Sequence, residues 1–388
     1  MTGPPNTQTA LIGGPDGQII LSDSAPLPPE PLEDLQIAVE VRAVALNPVD
    51  TKMAGSYFTT GATSGCDFAG VVTGLGAVAA RDRGLKVGDR VSGVVMGMNP
   101  LRPHIGAFAQ HTAVSAYAAV KIPDDWTFAQ GAAGVGGVAW DTVPWALFHS
   151  LGLPPGPELE PLNSKGPPPP QLPGAKIPIV SKFTSGPGTK PPTTVLVNGG
   201  ASFTGTCAIQ LLKLAGYNVV ATCSASSSEM VRSYGADAVF DYKSPTCAED
   251  IRTYTRNCLR LALDSITTPE TTRLCYAALG RAGGRYVGLD PYSHAVTASR
   301  SVVHADWVFG MDLLGEDVEW PAPHGRRANP VAREFGVAWN KTLQSLLDRG
   351  LIRPHPQLVR DTGLAGALEG LDELRSKKVT GQKLVYTL

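Results

Sequence analysis

The chain has 388 residues, of which 43% are hydrophobic and 17% are charged, and its formal net charge at pH 7 is -1. A chain of this kind can bury a large core in two domains, and it has no overall basic field for binding nucleic acid. No apolar run approaches the roughly 20 residues of a membrane span, and residues 1–10 lack the apolar core of a signal peptide, so we expect a cytoplasmic protein.

The first third of the chain predicts a compact antiparallel, barrel-like domain. Strand-like runs at 10–23, 35–46, 70–76 and 90–95 are separated by Gly, Pro and Asp turns. Between the second and third runs, Pro48 biases the preceding residue away from a helical conformation and begins a turn. A short helix after this turn would carry Asp50, Thr51 and Lys52.

The composition changes abruptly after a predicted helix at 140–151. Residues 153–192 are rich in Pro and Gly and include four consecutive prolines at 167–170. Such a segment cannot continue a helix or a central strand, so we interpret it as a flexible surface insertion. The alternative is a polyproline ligand for an SH3-like partner.

Residues 193–216 predict the strand, turn and helix of a dinucleotide-binding unit. The β-branched run at 194–197 suits a strand buried on both faces, and apolar residues from Phe203 onwards have helical spacing. A helix N-terminus reached through a glycine turn can bind a pyrophosphate. The loop contains Gly199 and Gly205 but lacks a full GxGxxG motif, because Ser202 and Phe203 stand where glycine would be favoured. An ordinary strand-to-helix turn therefore remains an alternative.

The next predicted strand, 217–222, indicates which cofactor would bind. An enzyme that prefers NAD places a carboxylate at the end of this strand, whereas this chain has Cys223 and a serine-rich run. Hydroxyl and N–H donors without negative charge admit the 2′-phosphate of NADPH. The sequence therefore predicts NADPH as the cofactor.

Beyond this strand, helices and strands alternate, which is typical of a doubly wound parallel sheet. Helices are predicted at 227–234, 247–257 and 269–279, and strands at 238–240, 260–264 and 285–288. We interpret 302–315 as a wall of the substrate site. A long amphipathic helix at 335–350 would return to the first domain, and the last strand would be 383–387.

Several segments resemble the medium-chain dehydrogenase/reductase superfamily in its zinc-free quinone-reductase and enoyl-reductase branch. Within that branch the chain is most similar to the stand-alone, trans-acting enoyl reductases of fungal polyketide pathways, of the lovastatin enoyl reductase type. The segments that carry the resemblance include NPVDTKM (47–53), ATCS (221–224), VFDY (239–242), IRTYTRN (251–257), GRAGG (280–284) and WPAP (320–323).

The resemblance implies an α/β fold with a GroES-like, β-barrel-type domain at 1–152 and 335–388 and a Rossmann NADPH-binding domain at 193–334. It also implies an NADPH-dependent enzyme that reduces α,β-unsaturated polyketide thioesters on the acyl carrier of a separate synthase. Members of this branch need no zinc, and here Gly65, Cys66 and Asp67 stand where zinc-dependent relatives have Gly-His-Glu. The six cysteines are scattered without CxxC pairs, so we predict no metal site.

The resemblance nominates Lys52 as the catalytic residue. In the family the matching lysine lies next to the nicotinamide ribose, where an ammonium would polarise the thioester carbonyl or help to protonate the α-carbon. A solvated surface lysine is the alternative. The predicted cofactor-binding residues are Pro48, Val49, Asp50, Thr51, Ser202, Phe203, Thr204, Gly205, Ser224, Ala225, Ser226, Ser227, Ser228, Tyr242, Leu289, Asp290, Thr380 and Gly381. The predicted substrate contacts are Trp140, Asp141, Thr142, Gly310, Met311, Asp312, Leu313 and Leu314.

Two other functions are compatible with the same residues. One is a free-standing quinone or alkenal reductase that acts on small electrophiles without an acyl carrier. The other is a catalytically inactive NADPH-binding subunit that serves its synthase as a scaffold. The unusual Ser202 and Phe203 in the glycine turn are the reason for considering it. We expect the chain to be a monomer.

Overall fold

The structure of the protein is a computed structural model, and it describes residues 7–162 and 192–388. The chain folds as two compact units. The first unit runs to Asp141 and resumes from Gly310 to Leu388, and the second unit spans Thr142–Phe309. Most of the predicted insertion, 163–191, lies outside the described residues.

The described part of the chain contains fifteen named strands and eleven α-helices. The strands are β1 (Thr7–Gly13), β2 (Ile19–Pro26), β3 (Gln36–Ala45), β4 (Asp67–Leu75), β5 (Arg90–Val94), β6 (His111–Ser115), β7 (Ala119–Lys121), β8 (Thr194–Asn198), β9 (Asn218–Cys223), β10 (Ala238–Asp241), β11 (Leu261–Asp264), β12 (Gly284–Gly288), β13 (Val303–Trp307), β14 (Gln357–Arg360) and β15 (Lys383–Thr387). The helices are α1 (Pro48–Met53), α2 (Ala77–Arg83), α3 (Phe128–Gly134), α4 (Val138–Pro144), α5 (Phe203–Leu214), α6 (Ser228–Ser233), α7 (Cys247–Tyr254), α8 (Pro269–Ala278), α9 (His294–Thr297), α10 (Pro330–Asp348) and α11 (Gly363–Arg375).

The first unit is built on a seven-stranded, mainly antiparallel sheet. Its strand order is β14-β15-β3-β4-β5-β7, and β6 pairs with β3 outside this path. β1 and β2 form a separate antiparallel pair. Helix α3 packs on this sheet through small residues, among them Ala129, Ala132 and Ala133. Because these side chains are small, the helix lies close to β3 and β4.

The second unit contains a six-stranded parallel sheet of the predicted Rossmann type. Its strand order is β10-β9-β8-β11-β12-β13, so the order reverses next to β8. A ligand binds such a sheet at the carboxyl ends of its strands, near the point of reversal. Leu196, Val220, Ile251 and Tyr286 belong to the hydrophobic core against this sheet.

The compact units differ from the predicted domain boundaries at 152 and 335. Segment 310–334, predicted in the nucleotide-binding domain, belongs to the first unit, and its turn at 310–314 packs on α10. The close approach is at Gly336, where a Cβ would lie 2.6 Å from the carbonyl oxygen of Leu313. Helix α10 also begins at Pro330 and not at 335, since Asn329 caps it by accepting hydrogen bonds from the N–H groups of Val331 and Ala332.

Three other elements differ from their predictions. Helix α7 ends at Tyr254 and not at 257, because Arg256 and Asn257 have left-handed backbones with φ of 51° and 58°. The segment 303–307, predicted as a wall of the substrate site, forms the sixth strand of the parallel sheet. The first residues of the predicted insertion are packed, with Leu153, Leu159 and Leu162 all buried.

Across 7–162 and 192–388, no helix combines the length and the apolar character that a membrane span requires.

Candidate active site

The turn between β8 and α5 is the first component of the candidate cofactor site. Gly199 has a φ of 79°, in the left-handed region that favours glycine. A Cβ on Gly205 would lie 2.2 Å from the carbonyl oxygen of Gly199, so the turn packs directly on the first turn of the helix. The geometry of this turn therefore requires both of the glycines that the sequence identified.

Ser202 caps helix α5 at the position where a glycine is usual. Its Oγ accepts a hydrogen bond from the Gly205 N–H (3.0 Å) and donates one to the Gly199 carbonyl (2.7 Å). Serine is among the best residues for starting a helix, so the turn is stabilised without a glycine at position 202. The N-terminus of this 12-residue helix carries the partial positive charge that binds a phosphate group. The turn therefore fits a pyrophosphate-bearing cofactor.

A buried hydrogen-bond chain connects four strands, three of them at their carboxyl ends. Asp264 Oδ1 accepts from Asn198 Nδ2 (2.8 Å), and Asp264 Oδ2 accepts from the Tyr286 hydroxyl (2.9 Å). Asn198 Oδ1 in turn accepts from Thr222 Oγ1 (2.6 Å). Burial and the adjacent Asp264 carboxylate raise the pKa of Tyr286, so its hydroxyl remains a donor. The sequence analysis missed this network, whose signal was a polar residue at the end of each of three apolar strands.

Asp264 also positions the residues that follow β12. Its Oδ1 accepts hydrogen bonds from the N–H groups of Ile266 (3.1 Å) and Thr267 (3.0 Å), and Thr267 is left-handed with a φ of 54°. Thr267 Oγ1 accepts a hydrogen bond from the Leu289 N–H (2.9 Å). Leu289 and Asp290, predicted to contact the cofactor, are therefore held at the same sheet edge as the glycine turn.

A group of serines follows β9 at this edge. Ser224 Oγ lies 3.1 Å from both Ser226 Oγ and Ser227 Oγ. The next strand ends beside them, because the Tyr242 N–H donates to the Cys223 carbonyl (3.2 Å). The exposed Lys243 follows directly, and its Nζ lies 6.0 Å from the centroid of the Tyr242 ring. Lys243 is a cation that the sequence analysis did not consider.

In the first unit, Lys52 lies in the last turn of helix α1. The helix begins with Pro48 at its first position, and its N-cap Asn47 forms a capping box with Asp50. The Asn47 N–H donates to Asp50 Oδ2 (2.6 Å), and Thr51 Oγ1 donates to the Pro48 carbonyl (2.7 Å). Asp50, predicted to bind the cofactor, is 1% exposed, so its carboxyl group holds the helix start from inside the protein.

The base of helix α1 is tied to two strands by a buried ammonium group. Lys383 Nζ donates to Asn47 Oδ1 (2.5 Å) and to Asp67 Oδ2 (2.8 Å), and the side chains of Lys383 and Asp67 are 5% and 1% exposed. Asp67 Oδ1 accepts from the Val138 N–H (2.8 Å). Burial, followed by the charge of Asp67, raises the pKa of Asp50 to about 7. Asp50 thus carries a proton for much of the time near neutral pH.

Asp141, a predicted substrate contact, has an unusual acidity. The residue is partly exposed, but desolvation of its carboxyl and the charge of Asp67 raise its pKa to about 8, against the opposing effect of Arg333. It therefore holds its proton at neutral pH. The neighbouring Trp140 is 1% exposed, and its indole N–H donates to the Gly134 carbonyl (2.5 Å), so this side chain belongs to the core.

The segment 310–314 is a buried 3₁₀ turn that packs against α10. Met311, Leu313 and Leu314 are buried, and Asp312 forms an ion pair with Arg326 at 3.0 Å. Thr380 and Gly381 lie in the loop before β15, where Gly381 has a φ of 68°.

A buried aromatic cluster follows helix α1, and the sequence analysis did not identify it. The Tyr57 ring stacks on Trp320 with centroids 4.4 Å apart, and the Tyr57 hydroxyl lies 2.5 Å from His324 Nδ1. Trp320 belongs to the WPAP segment, which therefore packs against the residues that follow Lys52.

Comparison with known proteins identifies the family. A family profile described as alcohol dehydrogenase GroES-like domain matches residues 33–124, and one described as zinc-binding dehydrogenase matches residues 204–306. A trans-enoyl reductase of Hapsidospora irregularis is 66% identical over 388 residues, which is 100% of both chains. A trans-enoyl reductase of Chaetomium globosum is 63% identical over 382 residues, or 98% of each chain. The chain belongs to the trans-enoyl reductase family.

Solved structures of more distant relatives superpose on this trans-enoyl reductase over nearly the whole chain. The CurK enoyl reductase superposes with a TM-score of 0.66 at 18% identity, over 98% of each chain. Escherichia coli quinone oxidoreductase in complex with NADPH gives a TM-score of 0.64 at 17% identity, over 98% of this chain and 99% of that one. The predicted superfamily, fold class and enoyl reductase identity are confirmed.

The side chains of this trans-enoyl reductase at the positions of family zinc ligands do not fit zinc. Zinc binds a cysteine as the thiolate, but burial and the carboxyl groups of Asp50 and Asp67 raise the pKa of Cys66 well above its usual range. Asp67 is paired with Lys383. Within the part of the chain that the structure describes, no group of three or more His, Cys, Asp or Glu could hold a metal ion.

The predicted site residues of this trans-enoyl reductase fall into two sets, one in each unit. In the second unit, the structure places the glycine turn, the serine group, Tyr242, Leu289 and Asp290 at one edge of the parallel sheet. In the first unit, Lys52 lies on α1, Asp141 on α4 and the segment 310–314 against α10. The roles of these residues in cofactor and substrate binding stay predictions.

Proposed function

We propose that this enzyme reduces an α,β-unsaturated polyketide thioester that a separate polyketide synthase carries on its acyl carrier. The observation that carries the proposal is the 66% and 63% identity to trans-enoyl reductases over 100% and 98% of the chain. "Trans" in those names describes an enzyme that acts on another protein's intermediate. A polyketide synthase is therefore the partner that we propose.

We propose NADPH, and not NADH, as the reductant. Three serine hydroxyls cluster after β9, and the exposed Lys243 follows the adjacent strand. Hydroxyl groups and an ammonium can donate hydrogen bonds to a 2′-phosphate, whereas a carboxylate in place of Ser224 would repel the phosphate. Asp241 lies at the same edge, but its Oδ1 accepts the Lys243 N–H (2.9 Å), so part of its hydrogen-bonding capacity is used locally. The pyrophosphate would bind at the N-terminus of α5, through 202–205.

The proposed chemistry needs one charge stabilised and one proton delivered by the protein. Bound NADPH would supply the hydride that adds to the β-carbon of the enoyl thioester. The electron pair of the double bond then moves to the thioester oxygen, and the α-carbon must receive a proton. Lys52 is the proposed cation at the developing enolate oxygen, where fixed positive charge is most effective in a site without bulk water.

Asp141 is the proposed source of the proton. Its raised pKa of about 8 keeps the carboxyl protonated at neutral pH, as a general acid requires. Lys52 could deliver the proton in its place. The Asp141 assignment predicts a pH dependence near pH 8, where its carboxyl group loses its proton.

The test is consumption of NADPH with a short α-methyl enoyl thioester of pantetheine. We expect turnover by the unmodified protein, a large loss of kcat in Lys52→Met and partial recovery in Lys52→Arg, which keeps the charge. Binding of NADPH without consumption, at any thioester concentration, would support the scaffold function. Faster turnover of quinones or free alkenals than of thioesters would support the free-standing reductase.

A further inference from the structure

Two segments that carry the family resemblance, 251–257 and 280–284, lie away from the candidate cofactor site. Segment 251–257 lies just before β11, which starts at Leu261, and 280–284 ends on Gly284, the first residue of β12. The glycine turn, the serine group and Leu289 follow strands of the same parallel sheet. Since a strand of five residues spans about 15 Å, the two segments lie at the opposite edge of the sheet. Contact with the cofactor therefore does not explain them.

The glycines of the two segments have a structural explanation. A Cβ on Gly280 would lie 2.3 Å from the carbonyl oxygen of Asn257, and one on Gly283 would lie 1.9 Å from that of Val302. The Gly280 N–H also donates to the Leu259 carbonyl (2.8 Å). The loops before β11, β12 and β13 thus pack backbone against backbone, and only glycine fits between them.

The arginines of the loops before β11, β12 and β13 include one structural residue and two exposed ones. Arg300, in the third loop, donates to the carbonyls of Leu279 (3.0 Å) and Gly280 (2.7 Å), and so caps the end of α8. Arg252 and Arg281 are exposed, and no residue in the described part of the chain bonds to either guanidinium group. The fold itself therefore does not explain Arg252 and Arg281.

The three loops enclose a shallow surface cavity whose lining includes three arginines. Its volume is about 400 Å³. Neither 251–263 nor 279–289 contains an acidic residue, although the whole chain has a net charge of -1. Val302 and Tyr254, at 49% and 54% exposure, add apolar surface. The residues that line the cavity are Arg252, Asn257, Tyr276, Ala277, Leu279, Arg281, Arg300 and Val302.

We propose that this arginine surface, centred on Arg252 and Arg281, docks an acidic face of the partner polyketide synthase. The inference rests on the proposed function, because it assumes that a synthase is the partner. Guanidinium groups bind carboxylates in a bidentate geometry, and a patch of one charge sign raises the rate of encounter with a patch of the other. The exposed Val302 and Tyr254 would supply the apolar contact that such an interface also contains. Docking at this edge leaves the cofactor edge of the sheet open.

The experiment compares binding and turnover in matched variants of the full chain. We would measure how tightly the full-length polyketide synthase of the same organism binds the double variant Arg252→Glu/Arg281→Glu, at low and at high salt. The control is Arg273→Glu, which reverses an exposed arginine on α8 outside the cavity lining. Each variant is also assayed with the small enoyl thioester of pantetheine, which needs no docking.

We expect the double variant to bind the synthase about tenfold more weakly, mainly through slower association, and to lose most of the salt dependence. Its kcat/KM with the small thioester should equal that of the unmodified enzyme, and the control should behave as unmodified in both assays. Unchanged binding of the synthase by the double variant would overturn the proposal. If the unmodified enzyme does not reduce the small thioester at all, that result would instead refute the proposed function.

Discussion

Lys383 provides the sharpest test of how the first unit holds its candidate catalytic helix. Its ammonium joins Asn47, the N-cap of α1, to Asp67 at the start of β4, and both side chains of the ion pair are buried. In Lys383→Met, the Asp67 carboxylate would keep, among the described residues, only the Val138 N–H as a hydrogen-bond donor. Removing one member of a buried ion pair costs about 3 to 5 kcal/mol, because the other charge stays buried. For a unit of this size the melting temperature should fall by about 10 °C.

The assay is thermal unfolding followed by circular dichroism, with Lys86→Met as the control at an exposed lysine of the same unit. Replacing both partners, as Lys383→Met/Asp67→Leu, should recover much of the lost stability, since no charge remains buried. The melting temperature of Lys383→Arg should lie between those of the unmodified protein and Lys383→Met. If Lys383→Met unfolds at the same temperature as Lys86→Met, the ion pair does not hold this part of the structure together.

Three further predictions concern single carboxyl and hydroxyl groups. Because the pKa of Asp50 is raised from 3.8 to about 7 in the folded state, its contribution to stability is complete below about pH 4 and is lost as the pH rises through 7. Urea unfolding at about pH 5 and about pH 8 should show the unmodified protein losing about 2.5 kcal/mol more stability than Asp50→Asn between the two pH values, and parallel losses would contradict this assignment. If Asp141 supplies the proton, kcat/KM should fall as the pH rises through about 8. Asp141→Asn should have a lower kcat and should not show that decline. An unchanged pH profile in the variant would exclude Asp141 as the proton donor. Ser224→Asp should weaken NADPH binding about tenfold in a fluorescence titration and narrow the preference over NADH, and equal affinities of the unmodified protein for both cofactors would refute the phosphate site.

The sequence was most informative where neighbouring residues decide the structure. The turn from β8 into α5 was predictable because Gly199, Gly205 and the helical spacing after Phe203 all lie within a few residues. The start of α10 was also readable, since Asn329 and Pro330 form a standard helix start, yet the prediction placed it at 335. Helices α2 and α11 were not predicted; α2 follows Gly76 and α11 starts at Gly363, and neither has a side-chain cap.

Contacts between distant parts of the chain were not predictable. Tyr57 and His324 are separated by 267 residues, and Lys383 and Asn47 by 336. Each residue alone is compatible with a surface position, and only the fold makes it part of a buried polar pair. Desolvation in such places also sets the acidity of Asp50 and Asp141, so neither raised pKa could be inferred from residue type.

The most direct test of the central claim is the fate of the transferred hydrogen. The enzyme would be incubated with an α-methyl enoyl thioester of pantetheine and NADPH that carries deuterium on the reactive carbon of its nicotinamide ring. We predict a saturated thioester with one deuterium on its β-carbon and none on its α-carbon, which takes its proton from the protein or solvent. Deuterium at the α-carbon, or oxidation of NADPH without a saturated thioester, would contradict the account.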